Sequence, residues 1–346
     1  MTRQARVVGT FIVAAVIVAG VTLGAQAPAP APAAKAPVAT TPAHAKPAKA
    51  ATPYVPAKTP WGDPDLQGTY TNKDENGIPM ERPGQFAGKS IDDVDDSEFA
   101  EILRERQQRA LASAAGIGGA DTGAGPVHWY EHYNAKNSRA WLITDPADGR
   151  IPALTTAGQK AADARAVARK NSGRGPADSW EDRSLYDRCI TRGVPGSMMP
   201  AIYGNAYDIT QAPGLVAIRY EMIHETRVIR LDDSPRTGLR SHMGDARGHW
   251  EGSTLVVETT NFDPRTAYQN GSAKLTMMER YRPVAANKIE WSVTLNDPDT
   301  WTKPWTFGMT LTEDPGQPLF EYACHEGNYA MRNILSAARA EERGGK

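Results

Sequence analysis

The second half of the chain consists of short β-type segments that follow one another closely. Turn-forming stretches such as APG, EGS, AAN, DPDTW and DPGQP separate most of them, which is the pattern of an antiparallel meander. Because a long open meander leaves two unpaired edges, we predict a mainly β (α+β) fold in which an up-and-down meander closes into a lipocalin-like barrel of about eight strands. A two-sheet sandwich is the alternative. From about Asn205 the predicted strands are NAYDITQ, GLVAIRYEM, TRVIRL, TLVVETTNF, AKLTMMERYRPV, KIEWSVTLND, KPWTFGMTLTE and LFEYAC.

Two of these segments alternate strictly between apolar and polar residues. The apolar positions are Ile289, Trp291, Val293 and Leu295 in one segment and Trp305, Phe307, Met309 and Leu311 in the other. Each strand therefore has an apolar and a polar face. A barrel of about eight strands can enclose one ligand, and the pattern leaves open which face points inward.

Two helical segments precede the strands. The segment SIDDVDDSEFAEILRERQQRALASA brings apolar residues onto one side at positions 99, 102, 103 and 111, and its acidic first turn suits a helix N-terminus. The segment LTTAGQKAADARAVARK is rich in alanine and basic residues, with Thr155 or Thr156 as the N-cap. Since it has little apolar surface, we expect the helices to pack outside the barrel.

The N-terminal region carries an export signal followed by a spacer. A basic start precedes a run of nineteen uncharged, mostly apolar residues and an Ala-x-Ala pattern that ends at Ala27, which predicts a cleavable signal peptide over 1–27 and a periplasmic or secreted protein. An uncleaved N-terminal anchor is the alternative, and it would be the only link to a membrane. Residues 28–58 hold eight prolines among alanines and are predicted to be a linker. A single barrel domain is predicted over 59–342.

The net charge bears on nucleic-acid binding, and the cysteine content bears on disulfide formation. The formal net charge of the 346-residue chain is -1, which gives no electrostatic basis for nucleic-acid binding. The only two cysteines are Cys189 and Cys324. In an oxidising compartment an isolated pair is best explained by a disulfide.

Several blocks of the chain resemble a large family of secreted bacterial proteins. They include YEMIHETR, MGDARGHWEGSTLVVET and YACHEGNY, and the likeness runs from about Trp61 to Glu342. Most members of that family have no assigned function, so the resemblance implies export and almost nothing about activity. The 28–58 spacer is longer than we expect of such proteins.

Ionisable residues concentrate in three predicted connections of the barrel, where strand formation alone does not require them. Histidine beside a carboxylate and arginine is a combination suited to acid–base catalysis. We assign acid–base roles to His224, Asp245, Arg247, Glu221 and His325. We assign substrate binding to Arg227, Trp250, Asn328, Arg192 and His242. The competing interpretation is that Asp245–Arg247 and Glu221–Arg227 are ion pairs that hold the loops.

Two functions follow from these assignments. The first is an exported enzyme that acts on a small sugar-like, acidic or aromatic molecule by hydrolysis, elimination or isomerisation, without a cofactor or metal. The second is a lipocalin-like binding protein without turnover. Metal ligation by His242, Asp245 and His249, or by His128 and His132, lacks an ordered motif. A serine nucleophile lacks the G-x-S-x-G pattern.

Overall fold

A closed β-barrel forms the described part of the chain. The computed structural model describes residues 54–95, 97–102, 104, 139–173, 175, 177–201, 203–317 and 319–344. The strands are β1 (Gly68–Thr71), β2 (Ile143–Asp145), β3 (Ala206–Ala212), β4 (Leu215–Tyr220), β5 (Thr226–Arg230), β6 (Asp245–Glu251), β7 (Thr254–Thr260), β8 (Thr276–Ala285), β9 (Lys288–Asn296) and β10 (Trp305–Glu313). Nine of them close on themselves and β2 lies outside the closed circuit against β10. The predicted barrel is confirmed.

Closure depends on the first strand. The four residues of β1 pair antiparallel with β3 on one side, where Tyr70 faces Tyr207. On the other side Tyr70 faces Glu313 of β10. The meander from β3 to β10 would otherwise end in two open edges, so β1 removes the edges that strand addition or aggregation needs.

The path of the chain departs from a pure meander at one place. Strands β5 and β6 are parallel, with Arg230 paired to Arg247, because the long connection over residues 231–244 returns the chain to the barrel end from which β5 started. The segment predicted as a loop, MGDARG, therefore enters β6. The predicted hairpin HWEGSTLVVET is present as β6 and β7.

The segment LFEYAC is not a strand, contrary to the prediction. Its residues from Leu319 onward have no regular structure. The physical reason is that β10 already pairs with β9 on one edge and with β1 and β2 on the other, so no ladder remains for a further strand. A helix over Tyr329–Gly344 follows this segment and was not predicted.

The helices before the barrel agree with the sequence patterns where they are described. Helix α1 (Thr156–Asn171) has Thr155 as its N-cap, whose Oγ1 accepts from Gly158 N at 3.0 Å. A Cβ at Gly158 would lie 2.5 Å from the carbonyl oxygen of Thr300, so glycine allows α1 to start against the β9–β10 connection. Residues 97–102 are helical with Phe99 and Ile102 buried. Positions 103 and 111, the 1–27 signal and most of the linker lie outside the described residues. We label the C-terminal helix α2.

The apolar faces of the strands point inward and fill the barrel. Trp291 packs edge-on against Phe307 with ring centroids 5.9 Å apart, and Trp305 lies 5.8 Å from the same ring. Tyr281 and Tyr207 are also fully buried. The polar faces are therefore outside, which settles the orientation that the alternating pattern left open. Among the described helices, none has the length and apolarity needed to cross a bilayer.

One ion pair lies inside this apolar interior. Arg227 of β5 is 2% exposed and Glu279 of β8 is fully buried, with Nη2 and Oε2 2.6 Å apart. Glu279 Oε1 accepts from the Tyr281 hydroxyl at 2.9 Å and from Trp291 Nε1 at 3.2 Å, and Arg227 Nη2 donates to Thr259 Oγ1 at 2.5 Å. Burial raises the pKa of the Tyr281 hydroxyl, and Glu279 raises it further.

We predict that breaking this pair is more costly than replacing it. Arg227→Met or Glu279→Met alone should lower the free energy of unfolding by about 3–5 kcal/mol, because each leaves a buried charge uncompensated. The double variant Arg227→Met/Glu279→Met should recover most of that loss. Urea denaturation of the four proteins measures the coupling.

The exposed pair Arg230–Asp232, with N and O 3.2 Å apart, is the matched control. Arg230→Met should change the unfolding free energy by about 1 kcal/mol or less. Equal effects of Arg227→Met and Arg230→Met would contradict a special role of the buried pair.

Candidate functional site

The two ends of the barrel differ in their connections. At one end, which we call the turn end, lie the tight β3–β4, β6–β7 and β8–β9 turns. At the other, which we call the loop end, lie the β4–β5 turn over 221–225 and the start of β6, as the strand registers require. Most ionisable residues singled out from the sequence lie at the loop end.

A disulfide fixes two irregular segments at the loop end. Cys189 and Cys324 are bonded with S–S 2.01 Å and Cα–Cα 5.7 Å, as predicted. Asn328 Nδ2 also contacts Cys189 Sγ at 2.9 Å. The bond joins the segment before β3 to the segment after β10, so residues far apart in sequence share one surface.

The β4–β5 turn holds His224 in an unusual backbone conformation. Ile223 and His224 have φ of 63° and 45°, a region that L-residues adopt rarely and that costs about 1–3 kcal/mol each. His224 is exposed, and its Nδ1 lies 2.7 Å from the carbonyl oxygen of Tyr322. Because a carbonyl only accepts, Nδ1 carries the proton and neutral His224 has its lone pair on Nε2. Among the described residues Nε2 has no hydrogen-bond partner.

Three tyrosine side chains meet at the segment whose backbone carbonyl contacts this histidine. The hydroxyl of Tyr322 is hydrogen-bonded to those of Tyr186 and Tyr203. The Tyr203 and Tyr322 rings stack with centroids 6.4 Å apart. Burial raises the pKa of both Tyr322 and Tyr186, and the neighbouring tyrosines raise that of Tyr322 further. The hydroxyls of Tyr322 and Tyr186 therefore stay protonated at neutral pH, and that of Tyr186 also donates to Met222 Sδ at 3.2 Å.

A cation and a carboxyl border the tyrosines. The guanidinium of Arg192 lies 5.3 Å from the centroid of the Tyr186 ring, within the range of a cation–π contact. Glu225 receives the Thr191 hydroxyl at 2.8 Å and the backbone N–H of Arg192. Burial raises the pKa of the Glu225 carboxyl, although these two hydrogen bonds partly oppose the shift. Glu225 thereby holds the segment that carries Arg192.

The structure brings several other predicted residues to the same end. Glu221 is buried, and its Oε2 accepts from Ala206 N at 3.2 Å. His242 packs near this region, since its carbonyl oxygen is 3.6 Å from a Cβ placed on Gly193. Its Nδ1 is 3.9 Å from Asp263. His325 is exposed on the segment that follows Cys324.

Asp245 and Arg247, which were predicted to act in catalysis, hold a connection of the barrel in place. Asp245 Oδ1 and Arg247 Nη1 are 2.5 Å apart, and Arg247 also donates to the carbonyl oxygens of Ser234 and Pro235 at 3.4 and 3.2 Å. Arg236 donates to the Asp245 carbonyl. These bonds fasten the 231–244 connection to β6, in line with the competing interpretation that the Asp245–Arg247 pair holds a loop.

Two predicted binding residues lie away from the loop-end surface. Arg227 is inside the barrel with Glu279. Trp250 is at the end of β6, near the turn end, and packs against the core. The alternation of β6 explains this position, because Ala246 and Trp250 share the inward side while Asp245 and Arg247 point outward.

The sequence analysis missed the tyrosines. Tyr186 precedes Cys189 by three positions and Tyr322 precedes Cys324 by two. Once the disulfide is predicted, this spacing places both tyrosines beside it, so a usable signal was present. Tyr203 had no comparable marker.

No three His, Cys, Asp or Glu side chains within the described residues are grouped closely enough to hold a metal ion. His128 and His132 lie outside those residues. Comparison of the chain with models of protein families, with characterised proteins and with solved structures gave no match. The candidate site therefore rests on its own geometry.

Proposed function

We propose that the protein is an exported acid–base enzyme whose active site is the loop end of the barrel. The substrate is a small anionic molecule with a sugar-like or aromatic ring, and the reaction is hydrolysis, elimination or isomerisation by proton transfer. The observation that carries the proposal is the imidazole of His224, held through Nδ1 by the Tyr322 carbonyl with Nε2 unpartnered in the described structure.

His224 supplies the base. A general base is effective when a second group fixes its tautomer and orientation, and the Tyr322 carbonyl does both. The left-handed backbone at Ile223 and His224 keeps the imidazole at the surface. Nε2 would take a proton from the substrate or from a water molecule.

The tyrosines and Arg192 supply the binding contacts. The hydroxyls of Tyr186, Tyr203 and Tyr322 can rotate to donate hydrogen bonds to an oxygen that gains negative charge, and the His224 imidazolium returns to that oxygen the proton that Nε2 has taken up. The stacked tyrosine rings suit the face of a substrate ring. Arg192 would pair with a carboxylate or another anionic group of the substrate.

Two observations support an enzyme over a lipocalin-like binder. A binder of that type holds its ligand inside the barrel, whereas here Trp291, Trp305 and Phe307 occupy the interior. The polar groups with defined orientation lie on the outside of one end. The disulfide, which is compatible with an oxidising compartment, supports the exported location, as does the apolar run before Ala27.

We predict that His224→Gln strongly lowers a turnover that the wild-type protein shows. Panels of glycosides, uronates and aromatic esters would be screened with the wild type, and each hit repeated with the variant. kcat/KM should fall by about 10²- to 10⁴-fold, the usual contribution of a positioned general base. Tyr322→Phe, which keeps the ring and the backbone carbonyl, should lower kcat more than it raises KM.

His249→Gln is the matched control. His249 is an exposed histidine of β6 that contacts Glu251 at 3.3 Å, away from the loop end. It should retain wild-type turnover. The proposal fails if no wild-type activity appears across the panels, or if His224→Gln and His249→Gln behave alike at unchanged thermal stability.

We predict a pH-dependent stability effect of Glu225→Gln. Because burial raises the pKa of Glu225 in the folded state, its contribution to stability is present at low pH and is lost as the pH rises through the folded-state pKa. Glutamine stays neutral at both pH values. The stability of the variant minus that of the wild type should therefore be higher at pH 7 than at pH 4. Thermal melts at both pH values measure this difference, and the opposite order would contradict it.

A further inference from the structure

A second site lies at the turn end, on the other side of the packed interior. A cavity of about 180 Å³ opens between the start of β1, the segment before it, the β8–β9 turn and the end of β10. Its polar lining includes Tyr54, Asp65, Tyr70, Lys288 and Glu313. None of these residues belongs to the loop-end site.

Tyr70 points to a ligand at this cavity. Its side chain is 5% exposed and lines the cavity. Burial raises the pKa of its hydroxyl, and the negative charges of Glu313 and Asp65 raise it further. Among the described residues the hydroxyl has no hydrogen-bond partner. The side chain is buried while its hydroxyl reaches the cavity without a protein partner, and a ligand in the cavity would supply one.

Glu313 is a second group without a partner. Its carboxylate makes no ion pair or hydrogen bond within the described structure. It stands close to β1, with Oε1 3.2 Å from a Cβ placed on Gly68, whose φ of +147° also favours glycine. Asp65 is oriented separately, because its Oδ1 accepts from Gln67 N at 3.0 Å. Two carboxylates therefore border the cavity, and that of Glu313 is available to a ligand.

The lining defines the chemistry of the ligand. Asp65 and Glu313 are negative and Lys288 is positive, so the formal charge of the lining is negative. The remaining wall is apolar and includes Leu66, Pro283 and Ile289. An ammonium group has three N–H donors and no acceptor, which matches two carboxylates and a tyrosine oxygen. A short alkyl chain would contact the apolar wall.

We propose that the turn-end cavity binds a small primary ammonium ion that carries a short apolar chain. The ammonium group lies between Asp65, Glu313 and the hydroxyl of Tyr70. This site is separate from the proposed active site and does not depend on it.

The test uses n-butylammonium as the probe on the full protein, followed by NMR of backbone amides. We expect saturable binding with a Kd of about a few millimolar, the affinity reachable by so few atoms. The shifted amides should include Gly68 and Ala285. 1-Butanol and butyrate, which differ only in the head group, should bind at least about tenfold more weakly.

Two variants assign the binding to the named groups. Glu313→Gln and Tyr70→Phe should each weaken n-butylammonium binding by about fivefold or more. Glu341→Gln, which removes the same charge from exposed α2, should leave it unchanged. The proposal is overturned if n-butylammonium does not saturate, if 1-butanol binds equally well, if the shifts map to the loop end, or if Glu341→Gln and Glu313→Gln have equal effects.

Discussion

The short strand β1 is the constraint on which the rest of the structure depends. Only four residues long, it pairs with β3 and with the end of β10, and so turns a sheet with two open edges into a barrel. Closure satisfies backbone groups that would otherwise need water or another strand. It also brings the apolar faces of nine strands into one interior, where the aromatic side chains pack.

Because packed side chains fill the interior, the polar surfaces that could contact a small molecule lie at the two ends of the barrel. Arg227 and Glu279 form a charged pair within the described interior. They are enclosed by Tyr281, Trp291 and Thr259 and resemble a buried polar network rather than a binding surface. Such a pair adds little net stability over apolar residues of the same size. Its geometry instead favours one arrangement of β5 relative to β8.

The barrel could be predicted because alternation and turn residues repeat in almost every segment. β9 and β10 show period-two patterns whose apolar positions are those buried in the structure. The parallel pairing of β5 and β6 could not be predicted, since it depends on where a fourteen-residue connection, 231–244, crosses the barrel. LFEYAC has strand-like composition, and only the occupied edges of β10 exclude it from the sheet.

The candidate site was partly predictable for a different reason. His224 and Arg192 stood out by residue type, and the disulfide placed the segments that carry Arg192 and His325 together. Arg227 was misplaced because residue type does not reveal which strand face points inward. The tautomer of His224 is set by the carbonyl of Tyr322, a backbone group on a segment about a hundred residues later, which no local pattern encodes.

The two ends of the barrel differ in how their side chains are held. Tight turns at the turn end place Lys288 and Glu313 directly on strand ends, where the ladder fixes them. The loop end is built from long segments instead. A disulfide and the hydrogen bonds of Glu225 to the segment carrying Arg192 hold these segments in place. Packed aromatic side chains fill the interior between them, and coupling between distant sites requires an element with two arrangements. The two sites are therefore expected to act independently.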